Sequence, residues 1–236
     1  PRRHVATRSR RGLIHRDLGG RGQLQVTSRS ARLEVGLGRP AGSPVVFKDP
    51  SAADSERYKI VFRGREGGRD TFEGIHHIWG ATSENGLDWK VLEKPLLTGY
   101  HSDTHNIISY SEVKGKYVGY FRGWDPPPIG GRRTIAYAET EDFATWPEPQ
   151  TIIGPDVHDG PDTDFYTNSY TPWPGANAHL LFPAVFERRL DLTELHMFTS
   201  RDGLKWQRIS REPVIPAGPS GSGMEAGVYA GAGLVS

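Results

Sequence analysis

Residues 75–83, IHHIWGATS, alternate apolar and polar side chains with a period of two, the pattern of a strand with one buried face. The alternation recurs in TIAYAETE (134–141) and ELHMFTS (194–200). Ahead of each lies a second run: RYKIVFRG (57–64), GKYVGYFRG (115–123) and AHLLFPAVF (178–186). These runs are rich in aromatic and β-branched residues and bounded by Gly, Pro or Asp, which also predicts strands. Behind the alternating runs come KVLEKPLL (90–97), QTII (150–153) and EPVI (212–215), predicting a last short strand in each unit. Helical periodicity is almost absent.

A repeated turn separates the alternating run from the last strand. It reads SENGLDW (83–89), TEDFATW (140–146) and SRDGLKW (200–206), with Trp89, Trp146 and Trp206 spaced 57 and 60 residues apart. A fixed period of this size marks a repeat architecture built from one supersecondary unit. Asn-Gly and Asp-Gly are hairpin turns, because Gly takes φ > 0 without steric cost. The phrase is therefore expected to be structural, with each Trp wedged between neighbouring units, rather than a ligand loop. Four antiparallel strands per unit predict an all-β fold, a β-propeller of four-stranded blades. The blades are expected at about 45–100, 101–155 and 160–216, with another beginning at 222–236 in GVYAGAGLVS. A degenerate copy, ATRSRRGLIH (6–15), carries His15 where the others have Trp. About four units are present. An open propeller leaves unpaired strand edges, so the chain reads as part of a longer protein.

Composition changes this picture at one place. Residues 1–40 hold ten arginines against Asp17 and Glu34, a charge of +8, while the remaining 19 basic and 26 acidic residues leave the body at −7. An Arg-rich segment (1–40) thus precedes the propeller domain (41–236). It belongs to no recognised nucleic-acid module, and the acidic body argues against a nucleic-acid partner. The 36% of hydrophobic residues, with six Trp, nine Tyr and nine Phe, suffices for a core. With no Cys, disulfides and thiolate chemistry are excluded. No apolar run of eighteen residues predicts a membrane-spanning helix. No signal peptide is evident either, and the compartment stays open, secreted or periplasmic locations being compatible.

The candidate chemistry lies in polar residues expected just ahead of each first strand, where propeller strands meet at one mouth of the central channel. They are Asp49 in FKDPSA, Asp103 to Asn106 in DTHNII, Asp162 to Asn168 in DTDFYTN, and Glu225 in GMEAGVYAG. Asp49, Asp103, Asp164 and Glu225 follow one another at 54, 61 and 61 residues, about one period. Carboxylates that converge on one cavity repel, which pushes their pKa values apart. One can then stay protonated as an acid while another remains an ionised base or nucleophile. Glycoside hydrolysis uses such a pair.

These residues carry a resemblance. VVFKDPS followed by YKIVF is similar to the Arg-Asp-Pro motif and next strand of the five-bladed propeller glycosidases, the invertase, levansucrase and arabinanase group. DTHNIISYSEVKGKYVGYFRG, DFYTNSYTPWPG and GVYAGAGLV resemble a bacterial set of sialidase-like or invertase-like propeller proteins. The resemblance covers about residues 45–236. It implies a five-bladed propeller, with Asp49 as transition-state stabiliser, Asp164 or Glu225 as the acid, and Asp103 as the nucleophile or the nucleophile lying in a further blade. The Glu-Cys motif of the invertases is absent.

Each candidate also has a structural reading. Asp49 before Pro50 starts a turn, Asp103 and His105 cap one, and Asp156, Asp159, Asp162 and Asp164 form a solvated acidic loop whose spacing does not match a Ca²⁺ loop. Glu225 sits among glycines, where backbone can approach a ligand. Arg63 and Arg122 end equivalent FRG triplets and suit a bidentate clamp on an anionic sugar. Trp124, Tyr166 and Trp173 offer rings for stacking on a sugar, and His105, Asn106, Asn168 and Tyr229 complete the expected binding set. His76 and His77 point to opposite faces of a strand and suggest no metal site.

Three functions compete: a carbohydrate-active hydrolase working through carboxylates, a non-catalytic carbohydrate-binding propeller, and a sialidase-like hydrolase clamping an anionic sugar with arginines. None needs a cofactor or metal. The expected partner is a carbohydrate, with no nucleic acid and no membrane, and the chain is expected to be a monomer.

Overall fold

The computed structural model describes residues 41–66, 75–127 and 130–233, together with six short strands within the first forty residues. Those six form three antiparallel pairs: β1 (Arg8–Ser9) with β2 (Gly12–Leu13), β3 (His15–Leu18) with β4 (Leu24–Thr27), and β5 (Glu34–Val35) with β6 (Arg39–Pro40). Half of the degenerate turn copy at 6–15 falls outside the described residues.

Three successive antiparallel meanders follow. In the first, β7 (Gly42–Lys48), β8 (Tyr58–Glu66), β9 (Ile75–Ser83) and β10 (Lys90–Val91) lie in sequence order, with β11 (Leu97–Thr98) also on β9. The second holds β12 (Ile107–Ser111), β13 (Lys116–Asp125), β14 (Arg132–Thr140) and β15 (Gln150–Ile153), again in order. The third carries the same course in broken strands. Its first strand is split into β16 (Thr163–Phe165) and β17 (Thr171–Pro172), its second into β18 (His179–Leu181) and β19 (Ala184–Glu187), and its third into β20 (Leu192–Leu195) and β21 (Phe198–Ser200), before β22 (Gln207–Arg208). The run expected to be continuous over 178–186 breaks at Pro183, which has no N–H to give a ladder.

Two expectations need correction. The last strand of the third unit lies at β22, directly after Trp206, and in EPVI only Ile215 bridges, to Leu195. The segment expected to begin a strand at GVYAGAGLVS makes a single bridge, Gly227 to Thr193, and is otherwise irregular through residue 233. Gly227 and Gly233 there have φ of 128° and 83°, a backbone that cannot continue a ladder.

The sheets stack face to face as propeller blades, and strand alternation decides which side chains meet. Along β13, Tyr117 and Phe121 turn toward blade 1, joining Val61, Ile78 and Trp146 in one core. Val118 and Tyr120 turn the other way, joining Ile135, Tyr137, Phe165, Leu181 and Phe198 between blades 2 and 3. Two of the three repeated Trp residues wedge against the preceding blade, whereas Trp89 packs on Ile60, Phe62 and Ala81 of its own. Trp146 meets Phe121 and the blade 1 core, and Trp206 meets Tyr120 edge-on at 5.9 Å.

The turn itself is closed by its own side chains. Ser200 Oγ accepts the Gly203 N–H at 2.9 Å, and Asp202 Oδ1 accepts those of Leu204 and Lys205 at 2.8 and 2.7 Å. These backbone donors pull Asp202 down to about 2. Ser83 and Asn85 repeat the arrangement in blade 1, with Gly86 and Gly203 both at φ 73°. The two glycines differ in surroundings. A Cβ on Gly203 would lie 2.7 Å from the Tyr120 hydroxyl, which donates to the Gly203 carbonyl, whereas one on Gly86 meets Tyr58 at an ordinary 3.8 Å. Both Gly→Ala changes should carry the backbone cost of about 1–3 kcal/mol. Gly203→Ala should add about 1 kcal/mol for the displaced hydroxyl. Equal urea midpoints for the two variants would contradict this.

Candidate functional site

The row that forms the core between blades 2 and 3 changes character at its end. Val118 and Tyr120 continue on the same face of β13 as Arg122 and Trp124, and Ile135 and Tyr137 share a face of β14 with Arg133. Register places Trp124 directly opposite Arg133. From blade 3, Tyr166 and Asp164 come to the same place.

Arg122 is 2% exposed. Its Nη2 donates to the Tyr166 carbonyl at 2.6 Å, and its Nη1 lies 2.9 Å from Asp103 Oδ1. The guanidinium sits 4.6 Å from the Tyr166 ring centre and 5.5 Å from that of Trp124. Arg133 occupies the matching position, 4.9 Å from Tyr166 and 5.4 Å from Trp124. Its Nη1 donates to Asp164 Oδ2 at 2.6 Å and its backbone N–H to Oδ1 at 2.9 Å. Asp164 is fully buried, and Arg188 Nε lies 3.8 Å from it. The Tyr166 hydroxyl donates to Asp103 Oδ2 at 3.1 Å.

The charges follow from this packing. Burial alone would raise the Asp103 carboxyl, but Arg122, the Tyr166 hydroxyl and Arg133 outweigh it and hold it below the usual carboxylate value. Burial pushes Arg122 down, with Arg133 adding to the effect. Burial and then Asp103 push the Tyr166 phenol up, so it remains a proton donor at neutral pH. Burial lowers His105, leaving a neutral imidazole. Asp103, a fifth exposed at its side chain, is thus an ionised, accessible carboxylate, suited to accept a proton or attack an electrophile but not to donate. Asp164 is sealed and fixes Arg133.

Several expected site residues serve the frame. Asn168 Nδ2 donates to the Tyr120 carbonyl at 3.1 Å, tying blade 3 to blade 2, and Asn106 closes on Ser102 and Thr104. His105 offers its carbonyl to Asn168 at 3.5 Å. Arg63 is laid over Gly42 of its own blade. The acidic loop is largely exposed, as expected, but two of its carboxylates are paired: Asp159 with Arg208 at 2.7 Å, and Asp156 with Arg211 at 2.5 Å. Glu225 lies exposed in a turn, on the segment that brings Tyr229 to 6.0 Å from Tyr166. Trp173 is half exposed at the β17–β18 turn.

Asp49 stands elsewhere. It follows the end of β7, whereas Asp103 precedes the start of β12, the equivalent first strand of the next blade. The two carboxylates therefore lie toward opposite ends of their blades. Asp49 is 1% exposed and filled by Ser51, Tyr117 and Lys59.

Arg133, which sequence reasoning passed over, is the main addition. Its only signal is the pairing with Trp124 across the β13–β14 hairpin. On the other side of Arg122 and Trp124 opens a cleft of about 580 Å³, bordered also by Tyr100, His101, Asp125 and Glu148. Tyr100 donates to the Arg122 carbonyl, and His101 stacks on His76 at 4.3 Å.

No protein-family model and no curated protein matches the chain. Solved structures do. A thermostable family-43 glycoside hydrolase is similar over 74% of this chain and 55% of its own, at 14% identity and a TM-score of 0.54. A second glycoside hydrolase is similar over 75% and 58%, at 16% identity and a TM-score of 0.53. The sucrose-6-phosphate hydrolase of Lactobacillus gasseri is similar over 73% and 35%, at 13% identity and a TM-score of 0.52. The chain spans little more than half of the first two and about a third of the last. At these identities the likeness shows the fold, that of the propeller glycosidases.

Proposed function

We propose that the ends of blades 2 and 3 bind a carbohydrate and that Asp103 is the carboxylate that acts on it. The supporting observation is the convergence on Arg122 and Trp124 of an ionised, partly exposed Asp103 and the Tyr166 phenol. Such a site supplies a base or nucleophile beside aromatic surface and fixed donors, as glycoside cleavage requires. Asp103 is the base or nucleophile. Glu225, exposed on the segment that carries Tyr229, is the candidate acid. Asp164 holds Arg133 in place. The fold likeness to glycoside hydrolases supports a carbohydrate as the ligand class.

The test is a panel of aryl glycosides and plant and bacterial polysaccharides, assayed for sugar release and for binding. Release of sugar is the expected outcome. Binding without release would make the chain a carbohydrate-binding propeller, and neither binding nor release by folded protein would sink the proposal.

A further inference from the structure

Arg122 and Arg133 share an unusual deficit. The Nη side of each guanidinium is engaged, Arg122 with the Tyr166 carbonyl and Arg133 with Asp164. The Nε donor of each is buried with no hydrogen-bond partner among the described residues. The contact between Arg122 Nη1 and Asp103 Oδ1, though only 2.9 Å, lacks the angle of a hydrogen bond and leaves both atoms unpaired as well. A buried donor without an acceptor loses its hydrogen bond to water and gains none in return. Here two such donors sit on guanidiniums packed against the same pair of rings, Trp124 and Tyr166. Asp103 lies beside Arg122 and Asp164 beside Arg133, so each cation has a counter-charge, but neither carboxylate fills an Nε donor. A neutral hydroxyl would accept only an ordinary hydrogen bond there, whereas an oxyanion would fill the Nε positions with stronger, charge-assisted bonds.

We propose that the saccharide bound at this site carries an oxyanion, a uronate carboxylate or a sulfate or phosphate ester, received by the Nε edges of Arg122 and Arg133. The inference rests on the reading of the site as carbohydrate-binding and adds the class of sugar.

The experiment is isothermal titration of the full chain with oligouronates, each paired with its carboxyl-reduced neutral counterpart, and with sulfated and phosphorylated forms of a neutral oligosaccharide. Wild type is compared with Arg133→Lys and Arg133→Gln, all checked for folding by near-UV circular dichroism. The lysine variant keeps a cation beside Asp164 but has no Nε–H edge. An anionic sugar should bind at least about tenfold more tightly than its neutral counterpart. Added salt should shrink that preference, and both variants should abolish it. Preference for the uronate identifies a carboxylate, and preference for the ester forms identifies sulfate or phosphate. A neutral sugar bound as tightly as its anionic partner, with both variants unaffected, overturns the inference and leaves the carbohydrate site standing. No saccharide bound by well-folded protein overturns both.

Discussion

Replacing Asp49 by alanine is expected to cost about 3–5 kcal/mol, seen as a Tm lowered by roughly 6–20 °C. The carboxylate is filled on both oxygens. Oδ1 accepts the Ser51 N–H at 2.9 Å and the Ser51 hydroxyl at 2.7 Å, and Oδ2 accepts the Tyr117 hydroxyl at 2.6 Å and lies 3.3 Å from Lys59 Nζ. Tyr117 belongs to the next blade, so the group pins β7 to β13. Its removal leaves the Lys59 ammonium, 2% exposed and 5.0 Å from the Phe143 ring centre, without its nearest counter-charge. Burial raises the Asp49 carboxyl, but Tyr117, Ser51 and Lys59 together hold it below its ordinary value. The sign of the pH dependence follows: a depressed carboxylate stabilises the fold above the unfolded value of about 3.9, and that stability is lost as pH falls through the folded value. The Tm gap between wild type and Asp49→Asn should be wide at pH 7 and close in acid. A gap unchanged down to pH 2 would show that the charge is not what stabilises. Below its melting temperature the Asn variant should still bind saccharide, and loss of binding by folded protein would return Asp49 to the site.

The same residue shows what sequence can and cannot carry. Spacing put Asp49 one period before Asp103, and the count was right. A count of residues does not say on which side of a strand a residue falls, and β7 precedes Asp49 while β12 follows Asp103. The bounds of β9 (75–83) and β15 (150–153) were legible to the residue, although β9, expected to bury one face, is buried on both in the stacked blades. The turn phrase was legible too, since its Asx hydrogen bonds and glycine φ are local. Blade 3 was less so. Pro183 and the early return after Trp206 break its ladder, and the glycines after 226 leave no continuous edge. Arg122, Trp124, Tyr166 and Asp103 were named from position, yet their assembly depends on which face of β13 each occupies and on contacts across more than forty residues. Arg133 follows a turn, where an arginine is ordinary. Only its register with Trp124 distinguishes it.

If the chain cleaves a saccharide, Asp103→Asn should reduce turnover by about 10²–10⁴-fold while leaving ground-state binding much less affected. The reduction belongs to the chemical step, because Asn preserves shape but can neither take a proton nor attack. The pH profile carries the finer test. Asp103 works ionised, and its carboxyl lies below the usual value, so the acid limb of the activity profile should lie below the ordinary carboxylate range. Tyr166→Phe removes the hydroxyl that donates to Oδ2 at 3.1 Å yet keeps the ring against Arg122 and Arg133. The loss of a donor to the ionised form raises the carboxyl, so the acid limb of kcat/KM should move to higher pH in this variant. A structural role for Tyr166 would lower activity evenly and leave the limb where it was. Arg122 is the counterpart control: with 2% exposure and contacts to both Asp103 and the Tyr166 carbonyl, its loss should unfold the blade 2–blade 3 junction as well as silence it. Activity lost with the fold intact in Asp103→Asn, a shifted limb in Tyr166→Phe and collapse in Arg122→Ala would separate the acting carboxylate, the group that sets its pKa and the cation that holds the junction together.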